Sequence, residues 1–191
     1  MAEFQDELFP LALAGMPEGF RYRPEVVSAH EEAELVREIE RLPFAPFQFH
    51  GYEGKRRVVS FGWRYDFNRG GLRSAEAFPD SLILLRDMAA GFAGLNPPDL
   101  RHAMVTEYAP GAAIGWHKDR PMFDDVIGVS LMSPCTFRFR RKSGAKWERR
   151  SLTAEPRSMY LLRGPSRSEW EHSIPGVDAL RYSVTFRSLN K

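Results

Sequence analysis

Cysteine is nearly absent from this chain. A single Cys135 excludes any intrachain disulfide, any Cys-rich zinc module and the signature of a zinc deaminase. With no disulfide to maintain, a reducing cytoplasm is the expected setting. No apolar run is long enough to cross a bilayer, so no membrane partner is expected. The opening Met-Ala-Glu-Phe-Gln-Asp-Glu is acidic, and no secretory signal is expected there. Also missing are a Gly-x-Ser-x-Gly elbow, a Walker A loop and a Gly-x-Gly-x-x-Gly fingerprint. There is no internal repeat, linker or low-complexity segment. One domain over residues 1–191 is therefore expected, acting as a monomer. Residues 1–99 would supply helices and a substrate-side segment, and residues 100–191 a β core.

What is present is polarised. Residues 1–119 hold 13 Lys and Arg against 18 Asp and Glu, whereas residues 120–191 hold 14 against 7. Charge segregated this way suits an anionic partner, although solvated strands also carry Arg and Lys. Residues 1–24 read as an irregular lead-in. Ser28-Ala-His-Glu31 is a capping box, followed by Leu35, Ile39 and Leu42 on one helical face and closed by Pro43. A second helix opens at Pro79-Asp80 and stops at Gly94. Between them, residues 44–69 read as loop and short strands, with a turn at Asn68-Arg-Gly-Gly71. Lys55-Arg-Arg57 beside Phe61, Trp63, Tyr65 and Phe67 suits nucleic acid, where cations meet phosphates and rings stack on bases. The plainer reading is that these period-2 aromatics form one buried strand face. Arg57, Trp63 and Tyr65 are the candidate substrate contacts, the latter two as partly exposed rings. From residue 100 onward the pattern becomes short strands: 101–109, 114–119, 126–132, 135–142, 146–153, 157–163 and 181–189. Many short strands after two helices predict a mainly β, α+β fold, a sandwich or jelly roll with helices packed outside.

Within the stretch Tyr108-Ala-Pro-Gly-Ala-Ala-Ile-Gly-Trp-His117-Lys-Asp119, a strand would place His117 and Asp119 on one face. An imidazole and a carboxylate are two thirds of the 2-His-1-carboxylate set that holds non-haem Fe(II). His-x-Asp alone is also what an exposed polar strand end looks like. His172 lies 53 residues beyond Asp119, far enough for several strands to return it beside His117. In Arg181-Tyr-Ser-Val-Thr-Phe-Arg187, Tyr182, Val184 and Phe186 alternate with Arg181, Ser183, Thr185 and Arg187. From periodicity alone, the apolar face turns inward and the polar face outward. The alternative is a polar face that lines a cavity for a small dianion, since the planar fork of Arg binds carboxylates bidentately.

His117-x-Asp119, distant His172, terminal Arg181-x5-Arg187, Tyr108-Ala-Pro-Gly111 and Gly164-Pro-Ser-Arg167 together resemble the AlkB-like branch of the Fe(II)/2-oxoglutarate-dependent dioxygenases. The resemblance covers roughly residues 100–190. It implies a double-stranded β-helix, the cupin-like jelly roll. It implies Fe(II) on His117, Asp119 and His172, with O2 and 2-oxoglutarate as cosubstrates. Arg181 would pair with the distal carboxylate of 2-oxoglutarate, Tyr108 would bond nearby, and Arg187 would steady the carboxylate next to the metal. In family members acting on nucleic acids, an N-methyl group is hydroxylated and leaves as formaldehyde. Substitution of the metal ligands is expected to abolish turnover and leave the fold largely intact.

Three positions depart from the family pattern. Thr106 and Ser183 stand where Asn is frequent, shortening two groups that would bond the cosubstrate. Pro121 stands where nucleobase demethylases carry an acid that reads the base edge, with Asp124 or Asp125 as substitutes. Downstream, Arg138, Arg140, Arg141, Lys142, Lys146, Arg149 and Arg150 face one acid, Glu148. On a hairpin they would form a phosphate-binding ridge, or simply a solubilising surface. The expected partner is DNA or RNA with alkylated bases. A dioxygenase acting on a protein or small molecule, or a non-catalytic module on the same fold, are the alternatives.

Overall fold

The computed structural model describes residues 15–49, 52–65, 72–74 and 76–190. In chain order these form β1 (Arg21–Arg23), α1 (Ala29–Ile39), β2 (Ala45–Phe49), β3 (Tyr52–Tyr65), β4 (Leu72–Ser74) and α2 (Asp80–Ala93). After a 3-10 turn follow β5 (Leu100–Tyr108), β6 (Ile114–His117), β7 (Phe123–Leu131), β8 (Cys135–Ser143), β9 (Lys146–Ala154) and β10 (Ser158–Leu162). The chain closes with α3 (Pro165–Ser168), β11 (Glu171–Ile174) and β12 (Arg181–Leu189).

Local chemistry starts both long helices where the sequence predicts them, although α1 ends at Ile39 and leaves Leu42 beyond it. The Ser28 hydroxyl accepts from Glu31 N–H at 3.2 Å, and the Glu31 carboxylate accepts from Ser28 N–H at 2.7 Å, so the capping box is complete. α2 stops at Gly94, whose φ of +67° is the left-handed cap that glycine adopts without a Cβ clash.

The strands pair antiparallel into two sheets. The large one runs β1-β10-β7-β12-β5-β3-β2 with β4 on β3, and the small one runs β6-β11-β8-β9. α1 and α2 cover the outer face of the large sheet, where Leu82, Leu85 and Ala89 of α2 meet Val105, Val129, Val184 and Phe186. A second core fills the space between the sheets, built from Tyr108, Phe137, Phe139, Tyr160 and Trp170. Two facing antiparallel sheets with helices outside are a jelly roll, as expected. Leu82 is fully buried between helix and sheet. Leu82→Ala is expected to lower unfolding free energy by about 2–5 kcal/mol, checked by denaturant melts.

Three expectations are corrected. β12 is not polar-out: residues 181–188 are all buried, its apolar face under the helices and its polar face inside the roll. Alternation cannot say which face is inside when the sheet is covered on both. Residues 52–65 are not short strands in a loop, because β3 runs these 14 residues and pairs with β5. β6 ends at His117, so Asp119 lies just past the strand and not within it. In β3, Phe61 is buried but Trp63 is 40% exposed. Between them Gly62 has φ +77°, and a Cβ there would fall 2.2 Å from the Arg101 carbonyl oxygen. The aromatic series is therefore not one buried face. The Tyr65 side chain, the turn at 68–71 and the lead-in up to residue 14 lie outside the described residues.

Candidate active site

Pairing of β6 with β11 makes His117 and His172 cross-strand partners. Their ring centroids are 4.3 Å apart. On its other side, at 5.5 Å, His172 stacks on Phe137 at an interplanar angle of 11°, which fixes its plane. Asp119 reaches the same place from the turn after β6, with its Oδ2 3.6 Å from His172 Nε2. That turn is held from behind. Arg167 of α3 donates to the carbonyls of Arg120 and Phe123, both at 2.5 Å. Two imidazoles and one carboxylate thus converge, as the sequence pattern requires. They do not yet form a closed shell: no three His, Cys, Asp or Glu side chains among the described residues define a cation position.

Their protonation suits donation to a cation. His117 Nδ1 lies 2.8 Å from Gly115 O, so Nδ1–H donates and the neutral ring keeps its lone pair on Nε2. Burial pushes His117 below its ordinary range. Burial, with His117 alongside, pushes His172 down to about 3. Burial works to raise the Asp119 carboxyl, but Arg187, His172 and His117 together hold it well below the carboxylate range. At neutral pH the site presents two neutral imidazoles and one carboxylate.

The polar face of β12 supplies the rest. Arg181, Ser183 and Arg187 pair with Tyr108, Thr106 and His102 of β5. Arg187 Nε donates to Asp119 Oδ1 at 2.7 Å. Its Nη1 lies 3.2 Å from His102 Nδ1. Burial, then Arg187, pushes His102 well down, so its Nδ1 accepts. Arg181 is fully buried. Its Nε donates to Ser130 Oγ at 3.2 Å, and its guanidinium carbon sits 5.1 Å from the Tyr108 ring centroid. Both terminal nitrogens, Nη1 and Nη2, have no hydrogen-bond partner among the described residues. Thr106 and Ser183 are buried cross-strand neighbours on this face.

The candidate substrate residues fare differently. Arg57 is turned from the site, with Nε and Nη2 donating to both Glu107 oxygens at 2.7 and 2.6 Å. Its neighbour Arg56 is the one in register with Tyr108, close enough to His117 to act on its charge, with its guanidinium stacked 4.0 Å over Phe47. Side chains one residue apart on a strand point to opposite faces, so the cation at the site is Arg56. Trp63 lies beyond the last β3–β5 pair. The hairpin cations are largely engaged. Arg138 donates to Ser173 Oγ, Arg140 pairs with Glu171, and Arg141 pairs with Glu148 and Glu169. The ridge is therefore less positive than its sequence, because β11 and the segment before it bring acids alongside. Asp125 is buried in an ion pair with Arg163 and cannot read a base, while Asp124 is exposed. His102 and Ser130 were not singled out from the sequence. Counting alternate residues back from Tyr108 would have found His102, but Ser130 emerges only from the β7–β12 register.

The 2OG-Fe(II) oxygenase superfamily model matches residues 19–187. The chain is 27% identical over 194 residues to the Alkylated DNA repair protein ALKBH8 homolog of Arabidopsis thaliana, covering 86% of this chain and 54% of that protein. It is 30% identical over 159 residues to the Alpha-ketoglutarate-dependent dioxygenase alkB homolog 7, mitochondrial, of Bos taurus, covering 80% and 65%. The chain therefore spans about half to two thirds of these relatives. The solved structure of OsALKBH1 superposes with a TM-score of 0.66 at 14% identity, covering 89% of this chain and 98% of that one.

Proposed function

Because the chain belongs to the 2OG-Fe(II) oxygenase superfamily, with AlkB homologues among its relatives, we propose that it oxidatively removes an N-alkyl group from a base of DNA or RNA. One observation carries the oxygenase reading: Arg181, fully buried, leaves both terminal nitrogens without a partner among the described residues. A buried guanidinium fork with two free donors is costly unless a two-oxygen anion completes it. The distal carboxylate of 2-oxoglutarate is such an anion.

The donor set fits Fe(II). His117, Asp119 and His172 would hold it as a 2-His-1-carboxylate face, leaving room for cosubstrate and O2. The 3.6 Å between His172 Nε2 and Asp119 Oδ2 is compatible with one metal, since donors ~2.1 Å from a common ion lie at most about 4.2 Å apart. Bound iron would supply the activation of O2 that no side chain can. The protein's part is positional. Gly115 O orients His117, Phe137 orients His172, and Arg187 anchors Asp119. Arg181 and Tyr108 would seat the diacid. The balanced outcome is 2-oxoglutarate and O2 converted to succinate and CO2, with one oxygen placed on the N-methyl carbon. The hydroxymethyl group then leaves as formaldehyde.

The nucleic-acid substrate is supported by the relative named for alkylated DNA repair, the basic C-terminal half and Arg56 at the mouth. A protein or small-molecule substrate is the second reading. It is favoured by the engaged hairpin arginines, by Pro121 and by the Asp125–Arg163 pair, which leave Asp124 alone of the two candidate base readers. Formaldehyde release from methylated oligonucleotides, falling steeply with added salt, is the expected result. Turnover of peptides with none of oligonucleotides selects the second reading. On the first reading, Arg56→Ala is expected to raise the apparent KM for oligonucleotide several-fold and lower the salt slope by about one.

A further inference from the structure

Of the three proposed metal ligands, Asp119 alone lies outside a strand. β6 ends at His117, and β11 sets His172 opposite it. Asp119 sits two residues further on, in a segment that enters β7 only at Phe123. Sheet register therefore fixes the two imidazoles and leaves the carboxylate to some other restraint. A ligand must be held within about 0.5 Å of its donor position, so that restraint has to be firm.

It can be followed carbonyl by carbonyl. Arg120 O and Phe123 O both accept from Arg167 Nη2, each at 2.5 Å. Between them, Pro121 O accepts from the Asn190 side chain and Met122 O from the Asn190 N–H. On the near side of Asp119, Lys118 Nζ donates to Ser168 O at 2.7 Å, one of the terminal carbonyls that a helix leaves unpaired. α3 is fixed in its turn. Ser166 N–H donates to Glu18 O at 2.8 Å, and Ser166 Oγ accepts from Arg163 N–H at 3.0 Å. The chain on both sides of Asp119 is thus clasped to the element that leads into β11 and His172.

Lys118 and Asn190 are exposed, but Arg167 is buried. Its bonds go to carbonyl oxygens, and its Nε has no partner among the described residues. A buried cation with an unpaired donor costs stability, so its contribution lies in geometry.

We propose that Arg167 is a positioning residue for the metal, which by holding Arg120 O and Phe123 O sets the Asp119 carboxylate against His172. This rests on the reading of His117, Asp119 and His172 as the ligand set. Groups that orient a ligand from behind contribute to metal affinity without touching the ion.

The test is calorimetric titration of Mn(II) into the full chain, well below its melting point, beside the metal-free Tm. Arg167→Met keeps an unbranched side chain and removes both bonds. It is expected to weaken Mn(II) about tenfold. Arg167→Lys retains a cation able to reach one carbonyl and should recover part of that loss. Lys118→Met removes one exposed bond to the same helix and should weaken Mn(II) by less. Leu82→Ala is the control, lowering the Tm through the helix–sheet core with no change in Mn(II) affinity. An Arg167→Met protein that is folded and binds Mn(II) like the parent overturns the proposal, whatever its Tm, and makes Arg167 a packing group. Should Arg167→Met fail to fold, Arg167→Lys and Lys118→Met decide, and parental Kd values in both overturn it. A parent protein that binds no Mn(II) would remove the ligand set itself, and this role with it.

Discussion

Arg181→Met will weaken 2-oxoglutarate by about 100-fold and, in the same protein, raise or maintain the ligand-free Tm. The two halves have one cause. Arg181 is fully buried, and its one hydrogen bond among the described residues runs from Nε to Ser130. Its two terminal nitrogens are unsatisfied. In the ligand-free fold this cation is an electrostatic burden, eased among the described residues by Ser130 and the Tyr108 ring face. An unbranched apolar side chain of similar length relieves that burden. On the proposed reading, bound cosubstrate would make this position a bidentate charge pair, and truncating one partner of such a pair costs on the order of 3 kcal/mol, about two decades in Kd. Calorimetric melting with and without 2-oxoglutarate and Mn(II) separates the effects. A Tm lowered by many degrees with an unaltered Kd would make Arg181 a structural charge and remove the main support for the oxygenase reading.

That dual character was half legible in the sequence. His117-x-Asp119, His172 and the Arg181-x5-Arg187 strand lie in an order that fits convergence, and the seven strand intervals read after residue 100 are recovered within about three residues at each end, whereas β11, the short strand that carries His172, was missed. What alternation could not supply was the direction of the β12 polar face. A strand covered on both sides buries either face, and here the helices claim the apolar one. Parity caused the second miss. Arg56 and Arg57 are equally basic in sequence, yet register with Tyr108 and Glu107 sends one to the site and the other to an ion pair behind it. Ser130 was invisible for a related reason: a Ser in a strand carries no chemistry until the register sets it beside Arg181. The hairpin cations erred oppositely, since their acidic partners Glu169 and Glu171 come from a segment nearly 30 residues away.

The same register alters what removal of a proposed metal ligand does to stability. From the sequence, all three substitutions would abolish turnover and spare the fold. Asp119, however, is also the anion that neutralises Arg187, a pair in which both side chains are less than one-tenth exposed. Asp119→Ala leaves that guanidinium buried beside neutral His102 with no counter-charge, a loss of about 3–5 kcal/mol. For a chain of this size that lowers the Tm by roughly 10 °C. Asp119→Asn retains an oxygen for Arg187 and the same shape, so its Tm should fall by much less. Both variants should lose Mn(II) binding and drop succinate formation at least about 1000-fold, because a neutral amide is a poor ligand for a hard divalent cation. His172→Ala should match them in activity, with a Tm loss set by the space it vacates beside Phe137. If Asp119→Asn retained Mn(II) affinity, or if Asp119→Ala melted with the parent protein, the carboxylate would not be joining metal site to β12. Equal Tm values for the Asn and Ala variants, both well below the parent, would instead show that charge and not hydrogen bonding ties Asp119 to Arg187.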